Sequence, residues 1–253
     1  MKAEKIILPS LTILLLLAIW QVISYLEIYS KHLFPSPIDV GSGFTELAMT
    51  SQLWEDIGSS LVRFFIGYGL AVVTAGPLGF IFGWYSRGWT AFEPLVQLLR
   101  PISPIAWFPL ISLWFGIGNL PAIVIIYIAA FYTILLATIS AVRKVDQTYL
   151  KVARNFGTNQ AGLLIKVVLP AAFPAMMVGL HIAIGSAWVF LVAGEMLGVK
   201  SGLGYLIIDS RNMLRTDLVL VAILIIGLLG LLIDRTITKA ENSIRKLWGV
   251  VQQ

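Results

Sequence analysis

The chain has 253 residues, of which 58% are hydrophobic and only 12% are charged, and its mean hydropathy is +0.89. Soluble domains average about 45–50% apolar and about 25% charged residues, so this chain has too few polar side chains to cover itself in water. The absence of cysteine excludes disulfide scaffolds, thiol catalysis and cysteine-ligated metal sites. The composition therefore predicts a protein whose solvent is the lipid bilayer.

Long stretches without Asp, Glu, Lys or Arg divide the chain into candidate membrane spans. A spanning helix needs about 20 mostly apolar residues. The first stretch, residues 6–26, lacks a small-residue cleavage pattern, which favours a retained anchor over a cleaved signal peptide. The stretch 101–142 breaks at a turn rich in Gly and Pro and so holds two spans. The sequence predicts an all-α membrane protein with a single domain and six spans, near residues 6–28, 60–84, 94–116, 120–142, 171–198 and 217–234.

The distribution of basic residues predicts the orientation of these spans. With both termini inside, the cytoplasmic segments carry 12 Lys and Arg residues and the outer segments carry 4. Cytoplasmic loops of membrane proteins carry an excess of Lys and Arg, so both termini are predicted to be cytoplasmic. This bias also accounts for the net charge of +5 without nucleic acid as a partner.

Small residues recur at every fourth position along the second predicted span. Such a stripe allows two helices to approach closely. We expect packing within the chain rather than a seam between two copies. The stripe consists of Gly67, Ala71, Ala75, Gly79 and Gly83.

The longest predicted cytoplasmic loop, residues 143–170, contains two amphipathic helical pieces. Asp146 can cap the first piece, residues 146–156, and Gly157 can end it. Thr158 or Asn159 can cap the second, which is expected to end at Leu169, before a proline. The first piece carries one apolar stripe at helical spacing. Its members are Tyr149, Leu150, Val152, Ala153 and Phe156.

The spacing within this loop resembles that of the permeases of ATP-binding-cassette (ABC) importers. Their loop reads E-A-A, three residues, G, nine residues, I-x-L-P. Here the corresponding positions are Lys151-Val152-Ala153, then Gly157 three residues later, then, after nine more, Val167-Val168-Leu169-Pro170. The spacing matches throughout. Three residues differ from the pattern, and Lys151 in place of an acidic residue is the largest change.

Other segments resemble the nitrate, sulfonate and taurine branch of these permeases. The resemblance covers most of the chain. It includes residues 34–37, 98–107, 114–118, 193–196 and 201–205.

The resemblance implies a type I ABC importer permease in a bacterial inner membrane. It implies a second permease copy in a homodimer, two cytoplasmic ATP-binding subunits that hold ATP and Mg, and an extracytoplasmic substrate-binding protein. This chain itself would bind no cofactor. Residues 201–205 and 214–217 favour taurine or an alkanesulfonate over nitrate, nitrite, bicarbonate or a vitamin precursor.

The ATPase-coupling residues would be Asp146, Tyr149, Leu150, Lys151, Val152, Ala153, Arg154, Phe156, Gly157, Leu169 and Pro170. The alternative for this loop is an interfacial helix that lies on anionic lipid headgroups.

Four further residues are candidates for the translocation path or its gate. Arg100 opens the third predicted span, and Pro104 and Trp107 follow it in a proline-rich stretch. Irregular backbone within a membrane is tolerated where it is buried or lines a cavity. Glu195, near the outer end of the fifth span, is expected to form a gate-stabilising or structural ion pair with Arg211 or Arg215.

The sequence argues against enzymatic activity in this chain. Residues 194–201 superficially resemble a P-loop, but Val199 stands where the motif requires its second glycine. ATP hydrolysis is therefore expected on a partner subunit. An ion-coupled secondary transporter would need acidic residues in several spans, and only Glu195 lies clearly within one. A membrane scaffold and an intramembrane enzyme are the remaining alternatives, and no Ser/His, paired-Asp or metal set supports the enzyme.

Overall fold

The computed structural model describes residues 4–26, 28, 30 and 32–247. These residues form helices and connecting turns, with no strand among them. A 3₁₀ turn, Pro104–Trp107, precedes α5, and a π-helical segment, Leu164–Val168, joins α8 to α9. The α-helices are α1 (Glu4–Tyr25), α2 (Pro37–Ala48), α3 (Ser51–Trp84), α4 (Ser86–Leu99), α5 (Phe108–Phe115), α6 (Asn119–Arg143), α7 (Gln147–Asn155), α8 (Gln160–Leu163), α9 (Leu169–Gly198), α10 (Leu203–Asn212) and α11 (Thr216–Leu247).

Five of the helical segments in the described part of the chain are long and apolar enough to cross a membrane. They are Ile7–Tyr25, Ser51–Trp84, Asn119–Arg143, Gln160–Gly198 and Thr216–Lys239. The third predicted span falls on two helices, Ser86–Leu99 and Pro104–Phe115, whose axes differ by 82°. The total is six if this bent pair counts as one span. The break coincides with the prolines at 101 and 104, because proline removes a helical hydrogen bond and disfavours helix at the preceding residue.

The chain divides into two compact units, with divisions within α3, between α9 and α10, and within α11. Unit 1 comprises the described parts of 1–59 and 201–228, and unit 2 those of 60–200 and 229–253. The predicted single domain stays a prediction. In unit 1 the side chains of α1 are almost all exposed from Ile7 onward. An apolar helix with its side chains exposed requires a lipid environment. A reciprocal pair of hydrogen bonds between Ser36 and Asp39 caps α2.

Unit 2 is built on close contacts of α6 with α9 and with α3. Gly179 on α9 lies against Ala137 on α6, and a Cβ at Gly194 would lie 3.5 Å from the Ala122 Cβ. The three glycines of the α3 stripe lie against α6 within the same chain, and the stripe's Ala71 and Ala75 are fully buried. The predicted intrachain packing of this stripe is confirmed. Small residues permit these approaches because a larger side chain would separate the helix backbones.

The contact of α3 with α6 yields a test of this packing. We expect Gly79→Ala to destabilise the permease by about 1–3 kcal/mol, as overpacking of a dense core does. A Cβ at Gly79 would lie 2.7 Å from the Thr138 Cβ and 2.8 Å from the Leu135 carbonyl oxygen. A backbone oxygen cannot move aside without shifting α6. Thermal unfolding in detergent measures the effect, and Gly76→Ala is the control, because no atom lies within 4 Å of a Cβ there. Equal stability of the two variants would contradict the close contact.

Candidate functional site

The loop between α6 and α9 folds into a short helix with a defined cap at each end. The Asp146 carboxylate accepts a 2.8 Å hydrogen bond from the Thr148 backbone N–H, and this bond lowers the pKa of the Asp146 carboxyl below its usual range. At the other end Gly157 has φ +77°. Its N–H donates to the Arg154 carbonyl, and the Thr158 N–H donates to the Ala153 carbonyl. This pair of bonds is the Schellman motif. Both predicted ends of α7 are confirmed.

The second piece of the loop differs from the prediction at its far end. Asn159 caps α8 by accepting a 2.8 Å bond from the Gly162 N–H, as expected. The helix does not stop at Leu169 but continues through Pro170 into α9. A π-helical turn precedes the proline, and the Leu169 N–H bonds to the Leu164 carbonyl five residues back. Proline disrupts the preceding helical turn, and a wider turn accommodates its ring and missing donor. The loop is thus continuous with the fifth span.

The predicted single apolar stripe of α7 is divided between two faces. Leu150 is 5% exposed and points inward, whereas Tyr149, Val152 and Phe156 are 59%, 49% and 86% exposed. These three exposed residues follow the i, i+3, i+7 spacing of one helix face. We call them the outer ridge. Two of these side chains lie on the nine-residue helix and the third is its C-cap, so together they form an exposed apolar patch of the kind found at sites of interaction.

The inner face of α7 packs on a core made by its own flanking spans. Leu150 belongs to a buried apolar cluster drawn from the end of α6, α8, the π-helical turn and the start of α9. Ala153 packs against the same cluster, and Lys151 and Arg154 are exposed. α7 is therefore held on the spans by one face and presents the other. The cluster consists of Ala141, Val142, Val145, Leu150, Leu163, Val168 and Ala172.

The role of Gly157 in ending α7 can be tested by a substitution that adds a single methyl group. We expect Gly157→Ala to destabilise the end of α7 by about 1–2 kcal/mol, because a residue with a Cβ is disfavoured at positive φ. No atom lies within 4 Å of that Cβ, so the cost would come from the backbone alone. Hydrogen exchange at the amides of 157 and 158 measures it. Gly185→Ala serves as the control, since Gly185 has a helical φ and equally open space. Unchanged protection would contradict the proposed role of the cap.

A second polar site lies in the interior of unit 2, around Glu195. The Glu195 side chain is 0% exposed, and its carboxylate accepts a 2.6 Å hydrogen bond from Arg63 Nη1. Ser60 Oγ lies 2.8 and 2.9 Å from the two carboxylate oxygens. Arg63 Nε also donates to the Asn119 side-chain oxygen at 2.9 Å. The site thus joins α3, α9 and the start of α6.

The predicted partner of Glu195 was wrong. Arg215 pairs with Glu46 and Asp217 in unit 1, at 2.7 and 2.8 Å. These bonds raise the pKa of the Arg215 guanidinium and lower that of the Glu46 carboxyl. Arg211 is exposed. A signal for Arg63 was present in the sequence, because an arginine within an apolar span requires a partner.

The other candidates for the translocation path lie at the bend between α4 and α5. Arg100 is exposed at the end of α4, and Pro104 and Trp107 are half-buried in the 3₁₀ turn. Next to this turn, Phe108 lies against α9, where a Cβ at Gly198 would come within 2.6 Å of its ring. The backbone is irregular here, as predicted. The assignment of these residues to a path stays a prediction.

The segments that favoured a sulfonate substrate have structural partners within unit 1. Gly202, which precedes α10, has φ +104°. Its N–H donates a 2.6 Å hydrogen bond to the buried carboxylate of Asp56 on α3. Beyond α10, Arg215 bridges Glu46 and Asp217. The first segment therefore fixes the start of α10 on α3, and the second ties α2 to the start of α11. Among the described residues no group of His, Asp and Glu is arranged to hold a metal ion.

Comparisons with known proteins agree with this architecture. The family described as "Binding-protein-dependent transport system inner membrane component" matches residues 75–246. A putative ABC transporter permease protein of Methanocaldococcus jannaschii is 40% identical over 201 residues, covering 79% of this chain and 75% of the relative. The taurine transport system permease protein TauC of Escherichia coli is 30% identical over 246 residues, covering 95% and 90%. Further relatives are named as permeases for aliphatic sulfonates and for nitrate.

The fold also resembles that of a solved transporter. A chain of the MetNI methionine ABC transporter, in an inward-facing conformation, matches with a TM-score of 0.58 and 21% identity. The match covers 75% of this chain and 98% of that one. The fold is thus that of a type I ABC importer permease. With its five or six apolar helices and the match over residues 75–246, the chain belongs to the family of inner-membrane permease components of binding-protein-dependent ABC transport systems.

Proposed function

We propose that this permease carries a small anionic or zwitterionic solute inward and that α7 is the contact through which a cytoplasmic ATPase drives it. The observation that carries the proposal is the outer ridge of Tyr149, Val152 and Phe156, exposed on a helix whose opposite face is buried. An amphipathic helix with exposed apolar anchors at i, i+3 and i+7 is suited to a hydrophobic groove on a partner. Both termini would then be cytoplasmic.

The connections of α7 suit it to transmit a rigid-body motion. It is capped at both ends, packs on the core of unit 2, and is followed by a helix that is continuous into the fifth span. Movement of the ATPase surface would displace α7 together with the ends of α6 and α9. ATP binding would thereby open the translocation path between the permease copies to the outside, and ATP hydrolysis would return the path to its inward-facing state. ATP and Mg would be held by two ATPase subunits, not by this chain.

Lys151 is the position at which the ionic contacts would be unusual. ABC importer permeases whose loop begins with an acidic residue would present a negative charge to the ATPase at this position, whereas Lys151 is exposed and basic. We expect its partner to be an acidic residue on the ATPase, since complementary charges set the orientation of such contacts.

A homodimer with an external substrate-binding protein completes the proposed complex. The favoured substrate is taurine or an alkanesulfonate, supported by the taurine permease relative that is 30% identical over 95% of this chain. A relative named for nitrate import is also 30% identical, over 96% of the chain. Nitrate is therefore the alternative substrate within the same family.

Reconstitution with the partner subunits tests the proposal. The permease in nanodiscs, with a candidate ATPase and a candidate substrate-binding protein from the same organism, is assayed for ATPase stimulation by taurine, an alkanesulfonate and nitrate in turn. The expected result is stimulation by a sulfonate, with two permease copies and two ATPases in each complex by mass measurement. Stimulation by nitrate and by neither sulfonate would show that nitrate, not a sulfonate, is the substrate. Uptake driven by an ion gradient without ATP would overturn the importer proposal.

A further inference from the structure

A cavity of about 290 Å³ opens beneath α7, on the side opposite the outer ridge. It lies where α3 and α6, both long enough to span the membrane, come to an end. Gln147, Leu150 and Arg154 face it from α7, again at i, i+3, i+7 spacing. The two faces of the helix therefore have different chemistry: the outer ridge is apolar, and the inner face is apolar with a polar residue at each end.

The lining of this cavity combines an apolar floor with a cationic rim. Val142, Val145 and Val168 contribute to the floor, and Arg143 and Arg154 are both exposed at the edge. No acidic residue is among the residues that line it. Two arginines on the rim of a cavity whose lining has no acidic residue favour an anion over a cation, and Arg binds phosphate with paired donors.

Arg143 lies over an aromatic ring. Its guanidinium carbon lies 5.9 Å from the ring centroid of Trp89, which is only 5% exposed. A cation over the face of an indole ring is attracted by the ring. The same region includes Trp84, which lines the cavity. Tryptophan is enriched at the interface between lipid and water, and the presence of Trp84 where two candidate spans end is consistent with a cavity at headgroup depth.

Apolar side chains of α3 lie beside the cavity. Phe80 and Trp84, one turn apart on α3, are both half-buried against the cluster beneath α7. The volume of the cavity, about 290 Å³, is just below the range for ligand pockets, about 300–1,000 Å³. It accommodates a phosphate headgroup but not a whole phospholipid, whose acyl chains would lie outside, along α3.

We propose that this cavity binds the phosphate diester of an anionic phospholipid such as phosphatidylglycerol, with Arg143 and Arg154 on the phosphate and the acyl chains along Phe80 and Trp84. Basic pockets at the ends of membrane helices recognise such headgroups. The bound lipid would fill the space between α7 and the spans and so stiffen the support of the helix. The proposal requires only that α3 and α6 cross the membrane, not that α7 contacts an ATPase.

Native mass spectrometry of the detergent-solubilised permease, titrated with phosphatidylglycerol, tests the proposal. Phosphatidylcholine with the same acyl chains is the reference lipid. We expect phosphatidylglycerol to bind more tightly than phosphatidylcholine. The double variant R143Q/R154Q should lower the affinity for phosphatidylglycerol about tenfold or more, because the loss of even one charge-assisted hydrogen bond is enough for a tenfold change. K144Q/K166Q removes two exposed charges of the same loop that do not line the cavity, and its effect is expected to be under about threefold.

Two further arms distinguish a specific lipid site from nonspecific attraction between anions and the basic loop. Q147W places a larger side chain at the cavity without a change of charge, and it is expected to weaken the binding of phosphatidylglycerol as R143Q/R154Q does. Glycerol phosphate and inorganic phosphate, added at the lipid concentration, are expected not to displace it. Equal binding of the two lipids, equal losses in the two double variants, or displacement by free phosphate would each overturn the proposal. Phe156→Asp should retain the lipid, which keeps this test independent of ATPase docking.

Discussion

Glu195→Ala is expected to destabilise the permease by about 3–5 kcal/mol, the usual cost of removing one partner from a buried ion pair. Arg63 is 3% exposed, so the variant leaves its guanidinium in the interior without the carboxylate 2.6 Å away. Ser60 loses its acceptor as well. Unfolding in mixed micelles measures the loss. Met196→Ala, at a neighbouring side chain that is 39% exposed, serves as the control and should change stability far less.

The double variant Arg63→Ala/Glu195→Ala isolates the contribution of the pair. Residues in direct contact are not additive, so its cost should fall short of the sum of the single variants by about 1–3 kcal/mol. Glu195→Gln distinguishes a structural pair from a gate. Because Glu195 is fully buried, we expect this variant to yield less folded permease with an unchanged substrate concentration for half-maximal ATPase stimulation. A shift in that concentration with full stability would instead support a gate.

Phe156→Asp is expected to weaken the complex with the ATPase by about 30-fold or more, which corresponds to the loss of an interface hot spot of about 2 kcal/mol. Phe156 is 86% exposed in the permease alone, so its replacement removes little internal packing. A carboxylate in an apolar groove, by contrast, would be desolvated without a partner. Titration of the ATPase onto the permease in nanodiscs measures the change.

The neighbouring residue supplies the matched control for this experiment. Asn155→Asp adds the same carboxylate to the same helix at an exposed position outside the outer ridge, and it should bind the ATPase nearly as the unchanged chain does. Thermal unfolding of the two variants should agree. Retention of the ATPase by Phe156→Asp would contradict the docking role and favour the alternative of a helix that lies on lipid headgroups.

Features that depend on neighbouring residues could be predicted from the sequence with good accuracy. Asp146 and Gly157 end α7 because a side-chain acceptor and a residue tolerant of positive φ act within one turn. The apolar spans follow from composition in the same way. Pro170 was the exception, since a proline usually marks a helix end. Here the π-helical turn before it carries the chain onward.

Pairs of residues distant in sequence were beyond such reasoning. Glu195 could be singled out as costly in a membrane, but nothing local indicates that Arg63, 132 positions earlier, is its partner. The two faces of α7 present the same difficulty. Periodicity places Tyr149 and Leu150 in one stripe, and only the positions of α6 and α9 determine which of the two is covered.

The sequence by itself thus determined the membrane class, the apolar spans, the caps of α7 and the family to which the loop spacing belongs, because hydropathy, turn chemistry and motif spacing are local properties. Only the tertiary structure decided which side chains meet. It placed Glu195 against Arg63, it left Phe156 exposed, and it set Arg143 and Arg154 around one cavity. The physical reason is that burial and charge pairing depend on the packing of helices far apart in the chain, which no local pattern encodes.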